Sequence, residues 1–218
     1  MLKFYYAPIS VNARRVWVAL LEKQISFQPI AIKLNGDQFE SEFTAINPLQ
    51  RIPVIEDDGL RVIESLAILD YLEAKYPEPA LMPKEATAIA TVRMVEMVAV
   101  NELQPATLPL TKQLVGFDVN PSQIEASKQR IDTVLKLYEN MLGERTYFAG
   151  DDFSLAEVVA GTLVPSVSMF GFAMNDYPKL AGWLERLKER ESFQKTTPSR
   201  SQIEAAIPNI QKILASRS

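Results

Sequence analysis

The alternation of apolar and polar positions divides the 218-residue chain near residue 77. Before that point, short β-rich runs alternate with helical repeats. LKFYYA (2–7) predicts a first strand. NARRVWVALLEKQ (12–24) follows, with Val16, Ala19, Leu20 and Lys23 spaced to share one helical face. FQPIAIK (27–33) predicts a second strand, and its Pro29, which has no N–H for a ladder, suits a sheet edge better than a sheet centre. PVIED and LRVIE flank Asp58-Gly59, a dipeptide that favours a two-residue hairpin turn. ESLAILDYLEAKY (64–76) returns to helical spacing through Leu66, Leu69 and Leu72, and Pro77 ends it. The order is β-α-β, an irregular crossing, then β-β-α.

PEPALMPKE (77–85) has Pro77, Pro79 and Pro83 within nine residues and reads as a linker. Beyond it, residues 87–114, 122–143, 154–172, 178–190 and 202–216 all have helical patterns, and no strand pair follows. The expected organisation is an α/β domain over residues 1–77, a linker over 78–86 and an all-α domain over 87–218. One helix start is sharply defined: FSLAEV (153–158) has Ser154 as N-cap and Glu157 three residues later, a capping box. Phe153 and Val158 occupy the positions of a hydrophobic staple around it. This motif is assigned to structure rather than catalysis.

Composition narrows the chemistry. The chain contains no cysteine and no histidine. Disulfides, a thiolate nucleophile, cysteine-based metal sites and an imidazole base are therefore excluded, and serine-histidine hydrolysis with them. No clustered Asp/Glu spacing suggests a carboxylate metal site, so no metal is expected. A net charge of −4 gives no electrostatic reason to expect nucleic acid as a partner. The apolar runs fall far short of a bilayer span and the N-terminus lacks the apolar core of a signal peptide, so a cytoplasmic address without membrane attachment is expected.

Three features of the first domain can converge on a ligand. Ser10, between the first strand and the first helix, lies where strand ends and helix N-termini gather ligands and stabilise anions. It equally fits a helix cap. In NPLQRIPVI (47–55), Pro53 opens a strand; a cis bond before it would turn the Ile52 backbone groups outward, able to pair with an extended peptide. Pro53 also fits an ordinary strand-start role. Glu64-Ser65 precedes the last helix of the domain, where the N-terminus and the serine hydroxyl suit a carboxylate and Glu64 suits an ammonium group. The bland alternative is a capping Ser65 and a solvated Glu64.

These residues resemble those of the cytosolic glutathione transferases. The resemblance covers essentially the whole chain and is carried by SVNARRV (10–16), NPLQRIPVI (47–55), ESLAILDYL (64–72) and the capping box at 154–157. A serine four residues before Arg14 is similar to the serine-type theta and phi classes, or to a related bacterial class. The resemblance implies a thioredoxin-like α/β N-terminal domain, an all-helical C-terminal domain, a homodimer, and glutathione as co-substrate with no other cofactor. It implies that Ser10 donates a hydrogen bond to the glutathione sulfur. Ile52, before a cis-Pro53, pairs with the cysteinyl backbone, and Glu64 and Ser65 hold the γ-glutamyl end. Arg51 stands where the serine classes have Gln or Lys, and Gln38 where those classes often have a His that contacts the glycyl end. Tyr6, near the place of the tyrosine-type catalytic residue, and Arg14 are candidates for supporting the thiolate; Arg14 equally fits a solvated helix-face cation.

The absent histidine is then no obstacle, because the nucleophile belongs to the ligand. A free thiol with a pKa of about 8.5 is only a few per cent thiolate at neutral pH. Lowering it by about two units takes roughly 2.7 kcal/mol. One hydroxyl hydrogen bond to a charged acceptor supplies about 1.5–3 kcal/mol, and a helix N-terminus adds about 0.3–1 kcal/mol. The thiolate would attack a small hydrophobic electrophile held by the helical domain, with the segment from Met94 to Thr111 and Phe170 and Phe172 as candidate lining. Conjugation, peroxide reduction and isomerisation all use such a thiolate. The alternative from another class is a non-catalytic module of the same fold that mediates protein association.

Overall fold

Strand β1 (Leu2–Tyr6) lies inside a four-stranded sheet of order β2-β1-β3-β4, with β2 (Phe27–Ala31), β3 (Val54–Asp57) and β4 (Leu60–Ile63). This is seen in a computed structural model that describes residues 1–33 and 36–215. β1 runs parallel to β2, with Leu2 opposite Phe27 and Tyr6 opposite Ala31, and antiparallel to β3, with Tyr5 opposite Val54. β2 is an edge strand, the position where Pro29 sacrifices no ladder bond. The β3–β4 hairpin turns through Asp58 and Gly59, both at positive φ (49° and 83°), as a two-residue turn that follows the twist of its strands requires.

Helix α1 (Val11–Glu22) carries the periodic face anticipated for it: Val16, Ala19 and Leu20 are fully buried. Lys23, on the same face, is also buried, with Nζ bonded to Glu73 (2.6 Å) and to the Pro79 carbonyl (2.8 Å). The crossing between β2 and β3 is more ordered than the pattern predicts. It holds a short 3₁₀ turn (Asp37–Phe39) and a six-residue helix, α2 (Ser41–Ile46). Phe43 alone of α2 is buried, and a single anchor gives no period to read. Helix α3 (Ser65–Lys75) closes the α/β part and buries Ile68, Leu69 and Leu72.

At the hairpin end of the sheet, buried Asp57 accepts hydrogen bonds from Tyr71 (3.0 Å), Lys75 (2.7 Å) and Tyr76 (2.8 Å). Burial works to raise its pKa. The bonds from Lys75 and the two tyrosines outweigh burial and hold the carboxyl below the ordinary aspartate value.

Packing divides the chain into two units, Leu81–Glu191 and a second formed by Met1–Ala80 with the segment from Ser192 onward. The last helices of the span expected as one helical domain thus group with the α/β unit. Leu81–Glu191 contains α4 (Ala86–Val98), α5 (Gln104–Leu114), α6 (Pro121–Leu142), α7 (Leu155–Leu163), a 3₁₀ run (Val164–Phe170) and α8 (Pro178–Lys188). α4 and α5 are joined by a π-helical turn (Ala99–Leu103), where the pattern predicts one unbroken helix. Pro105 stands two residues after it, in the first turn of α5; it has no N–H for the preceding turn and its ring needs the extra room. The core stacks Tyr138, Phe148 and Trp183 edge to face at 5.3 Å centroid spacing. The capping box forms as expected, with both reciprocal bonds between Ser154 and Glu157. Helices α9 (Glu191–Thr196) and α10 (Arg200–Ala215) end the described chain. Residue 216, the last of the expected final helix, lies outside the described residues.

Candidate active site

The sheet register gathers the candidate residues at one end. The C-terminal ends of β1, β2 and β4 and the start of β3 lie side by side, as the pairs Tyr6–Ala31, Tyr5–Val54 and Val54–Ile63 show. Ser10 follows β1, Gln38 follows β2, Arg51-Ile52-Pro53 leads into β3, and Glu64-Ser65 follows β4. Asp57 and its partners occupy the opposite end.

Ser10 is the N-cap of α1. Its Oγ accepts from the Ala13 N–H at 3.3 Å, and its carbonyl accepts from the Arg14 N–H at 2.8 Å. A hydroxyl that accepts a bond keeps its own hydrogen to donate, and among the described residues that hydrogen has no acceptor. The side chain is half-buried, so its oxygen is held in place yet reachable. Capping and donation are compatible for this serine.

The Ile52–Pro53 peptide is cis, as the resemblance implies. Ile52 packs against the cluster of Tyr5, Phe43 and Val54. Among the described residues, neither its N–H nor its carbonyl forms a hydrogen bond. Arg51 has an exposed side chain, and its carbonyl accepts from Asn47 Nδ2 at 2.7 Å.

Glu64 is exposed and adopts φ 66°, ψ 120°. A non-glycine residue there carries strain of order 1–3 kcal/mol, which persists where surroundings demand it and concentrates at functional positions. Its carboxylate makes no cap bond to α3. Ser65 is buried at the first position of α3, and its Oγ accepts a long hydrogen bond (3.4 Å) from Arg15 Nη1, which also donates to Asn12 Oδ1 at 2.9 Å. Arg15, itself buried, thereby ties the start of α1 to the start of α3.

The remaining candidates have other commitments. Gln38 is buried, and its Oε1 accepts from the Gly36 N–H at 3.3 Å, within its own loop. The Tyr6 ring stacks on Phe4 and meets Trp17 edge to face, each with centroids 5.0 Å apart. Arg14 is only 8% exposed rather than solvated. Its Nε lies 3.3 Å from Thr196 Oγ1, its Nη2 lies 2.6 Å from Thr197 Oγ1, and its guanidinium carbon is 5.6 Å from the Phe193 ring centroid. Burial lowers its pKa to about 10, which leaves it charged at neutral pH. The contacts in place make Arg14 the anchor of the chain's last segment on α1. Of the candidate electrophile lining, Met94, Met97 and Leu108 are exposed, while Phe170 and Phe172 are half-buried.

Sequence reasoning passed over Asn47 and Arg15. The first lay inside a quoted motif and the second beside a chosen arginine; what marks both is a set of buried hydrogen bonds, which no local pattern displays.

Comparison with known proteins places this arrangement. Residues 4–80 match the family model for the glutathione S-transferase N-terminal domain, and residues 93–191 match that for the C-terminal domain. A maleylacetoacetate isomerase of Rattus norvegicus is 31% identical over 190 residues, covering 85% of this chain and 87% of the relative. Glutathione S-transferase F10 of Arabidopsis thaliana is 30% identical, covering 88% of this chain and 94% of its own length. Among solved structures, a glutathione S-transferase from Methylobacterium radiotolerans, in complex with glutathione sulfonate, superposes with a TM-score of 0.79 at 28% identity, covering 90% of this chain and 94% of that one. With both domain models matched in order and relatives aligned over most of their length, the chain belongs to the glutathione transferase family and is a glutathione transferase.

Proposed function

We propose that the end of the sheet carrying Ser10 binds glutathione and converts its thiol to a thiolate for attack on a small hydrophobic electrophile. Ser10 donates its hydroxyl hydrogen to the sulfur. The unpaired Ile52 backbone pairs with the cysteinyl residue as a short added strand. Ser65, with the first turn of α3, takes the γ-glutamyl carboxylate, and Glu64 takes the ammonium group beside it. Arg51 reaches the peptide or its carboxylate from the exposed side, and Gln38 borders the glycyl end. The enzyme acts in the cytoplasm as a homodimer, as the resemblance to the family implies.

The observation that carries this reading is the Ser10 hydroxyl, fixed by the Ala13 N–H and still holding an uncommitted hydrogen at a helix N-terminus. Its test is the titration of bound glutathione by thiolate absorbance. The wild type is expected to hold the sulfur about two units below the free thiol value of about 8.5. Ser10→Ala should return most of that shift. A Ser10→Ala protein with an unchanged shift, together with a Tyr6→Phe protein that loses it, would assign the role to the wrong hydroxyl. Failure to bind glutathione-agarose would favour the non-catalytic module.

Conjugation and hydroperoxide reduction are the expected outcomes of the thiolate. The rat relative's name supports a second use, in which the thiolate adds to a conjugated double bond and leaves again after rotation, so that glutathione is regenerated. Product analysis with a cis-enedione acid distinguishes the two, since isomerisation consumes no glutathione.

A further inference from the structure

We propose that Asn47 is a positioning residue for glutathione binding, aiming the Ile52 N–H at the ligand; this rests on the reading that the Ile52 backbone meets the cysteinyl residue. Asn47 ends α2, is 2% exposed, and uses every polar group it has. Its N–H donates to the Phe43 carbonyl and its carbonyl accepts from the Gln50 N–H, both at 2.9 Å. Its side-chain Oδ1 accepts from the Leu49 N–H at 3.0 Å, and its Nδ2 donates to the Arg51 carbonyl at 2.7 Å. Turning the amide over would set donor against donor and acceptor against acceptor, so the network fixes its orientation.

The bond to Arg51 has a geometric consequence. The Arg51–Ile52 peptide is not among the cis bonds, and in a planar trans peptide the C=O and N–H point in opposite directions. Drawing the Arg51 carbonyl in to a buried amide turns the Ile52 N–H away from it. Among the described residues no acceptor meets that N–H. The loop is closed from within, with Gln50 held at φ 54° and its Nε2 3.3 Å from Thr44 Oγ1. An asparagine serving only as a turn former needs the Leu49 bond alone. The second bond, to Arg51, is the one that orients the Ile52 peptide.

Asn47→Asp isolates that bond, because it keeps the size and the acceptor for Leu49 but puts an oxygen against the Arg51 carbonyl. The KM for glutathione should rise about tenfold, while kcat at saturating glutathione stays within about twofold, since Ser10 is untouched. Lowering the pH protonates the introduced carboxyl and restores a donor to Arg51, so calorimetric affinity for glutathione at about pH 5 should approach that of the wild type. A merely structural asparagine would lower the melting temperature without this split or this rescue. In the wild type, saturating glutathione should slow hydrogen exchange of the Ile52 amide, a measurement that decides the matter if the variant fails to fold. An unchanged KM in a folded Asn47→Asp protein, or an Ile52 amide left unprotected by bound glutathione, overturns the proposal alone. Absence of glutathione binding to the wild type overturns the functional reading and this inference together.

Discussion

Ser10 and Ser154 hold the same position, the N-cap, at the starts of α1 and α7, yet they differ in what becomes of the hydroxyl hydrogen. Ser154 is 3% exposed; its Oγ accepts from the Ala156 N–H at 3.2 Å and donates to Glu157 Oε2 at 2.7 Å. Glu157 in turn accepts from the Ser154 N–H at 3.0 Å and the Phe148 N–H at 2.8 Å, completing a closed network in the helical core. Ser10 accepts a single longer bond, is half-buried, and has no carboxylate three residues on, where Ala13 stands. A saturated cap stabilises a fold. A cap with an unspent proton stabilises a helix and can still serve a ligand.

The largest expected effect breaks the saturated cap. Glu157→Ala strands the Phe148 and Ser154 N–H groups in the core and should cost about 3 kcal/mol or more of unfolding free energy in urea titrations. A loss under about 1 kcal/mol would mean that the network is not what holds the start of α7. Activity per folded molecule should be unchanged.

Next comes the unsaturated cap. Ser10→Ala should lower conjugating kcat about 10- to 100-fold, the worth of one hydroxyl bond to a charged sulfur, while unfolding free energy falls by only about 1 kcal/mol. Ser154→Ala should do the reverse, costing about 1–2 kcal/mol of stability with kcat retained. Equal activity losses in the two variants would erase the distinction between the caps.

The buried carboxylates of the two units sharpen the contrast through pH. Burial pushes the Glu157 carboxyl up, although the Ser154 hydroxyl and the Phe148 and Ser154 amides pull against it. A raised acid favours the folded state most when protonated, so this contribution is present below the ordinary glutamate value of about 4.5 and lost as pH rises through the folded value. Asp57 has the opposite sign: its contribution is present above about 3.8 and lost as pH falls through its lowered folded value. Unfolding free energy measured against pH should therefore lose part of its acid-side decline in Asp57→Asn and part of its decline with rising pH in Glu157→Gln. Swapped slopes would refute the assignment. The smallest effect is expected from Tyr6→Phe, whose ring contacts remain: kcat should change by less than about twofold.

Several features of both units were legible because their signals are local. Pro29 on an edge strand, Asp58-Gly59 in a tight turn and the 154–157 capping box each act over a few residues, and each stands where the pattern puts it. Helix α2 was not legible, since one buried phenylalanine makes no period. The π turn before α5 was not legible, since residues 87–114 keep one helical pattern across it. Within the site, Ser10, Ile52-Pro53 and Glu64-Ser65 were chosen as separate stretches, and the register of β1, β3 and β4 puts them at one end of the sheet. Arg14 shows the limit: its hydroxyl partners lie 182 and 183 positions along the chain, beyond any local reading.

The sequence by itself determined which chemistry is open to this protein. Without histidine or cysteine the chain has no imidazole base and no thiolate of its own, and a serine at a helix start can act on a thiol that a ligand brings. It also determined the caps, the turns and the apolar faces, which depend on neighbours a few residues apart. Only the tertiary structure decided which polar groups are spent and which remain unsatisfied. That accounting depends on partners brought together by packing: Asn47 draws in the Arg51 carbonyl, Arg15 reaches Ser65 across two helix starts, Thr196 and Thr197 occupy Arg14, and Ser10 keeps its proton because no acceptor among the described residues comes near enough to take it.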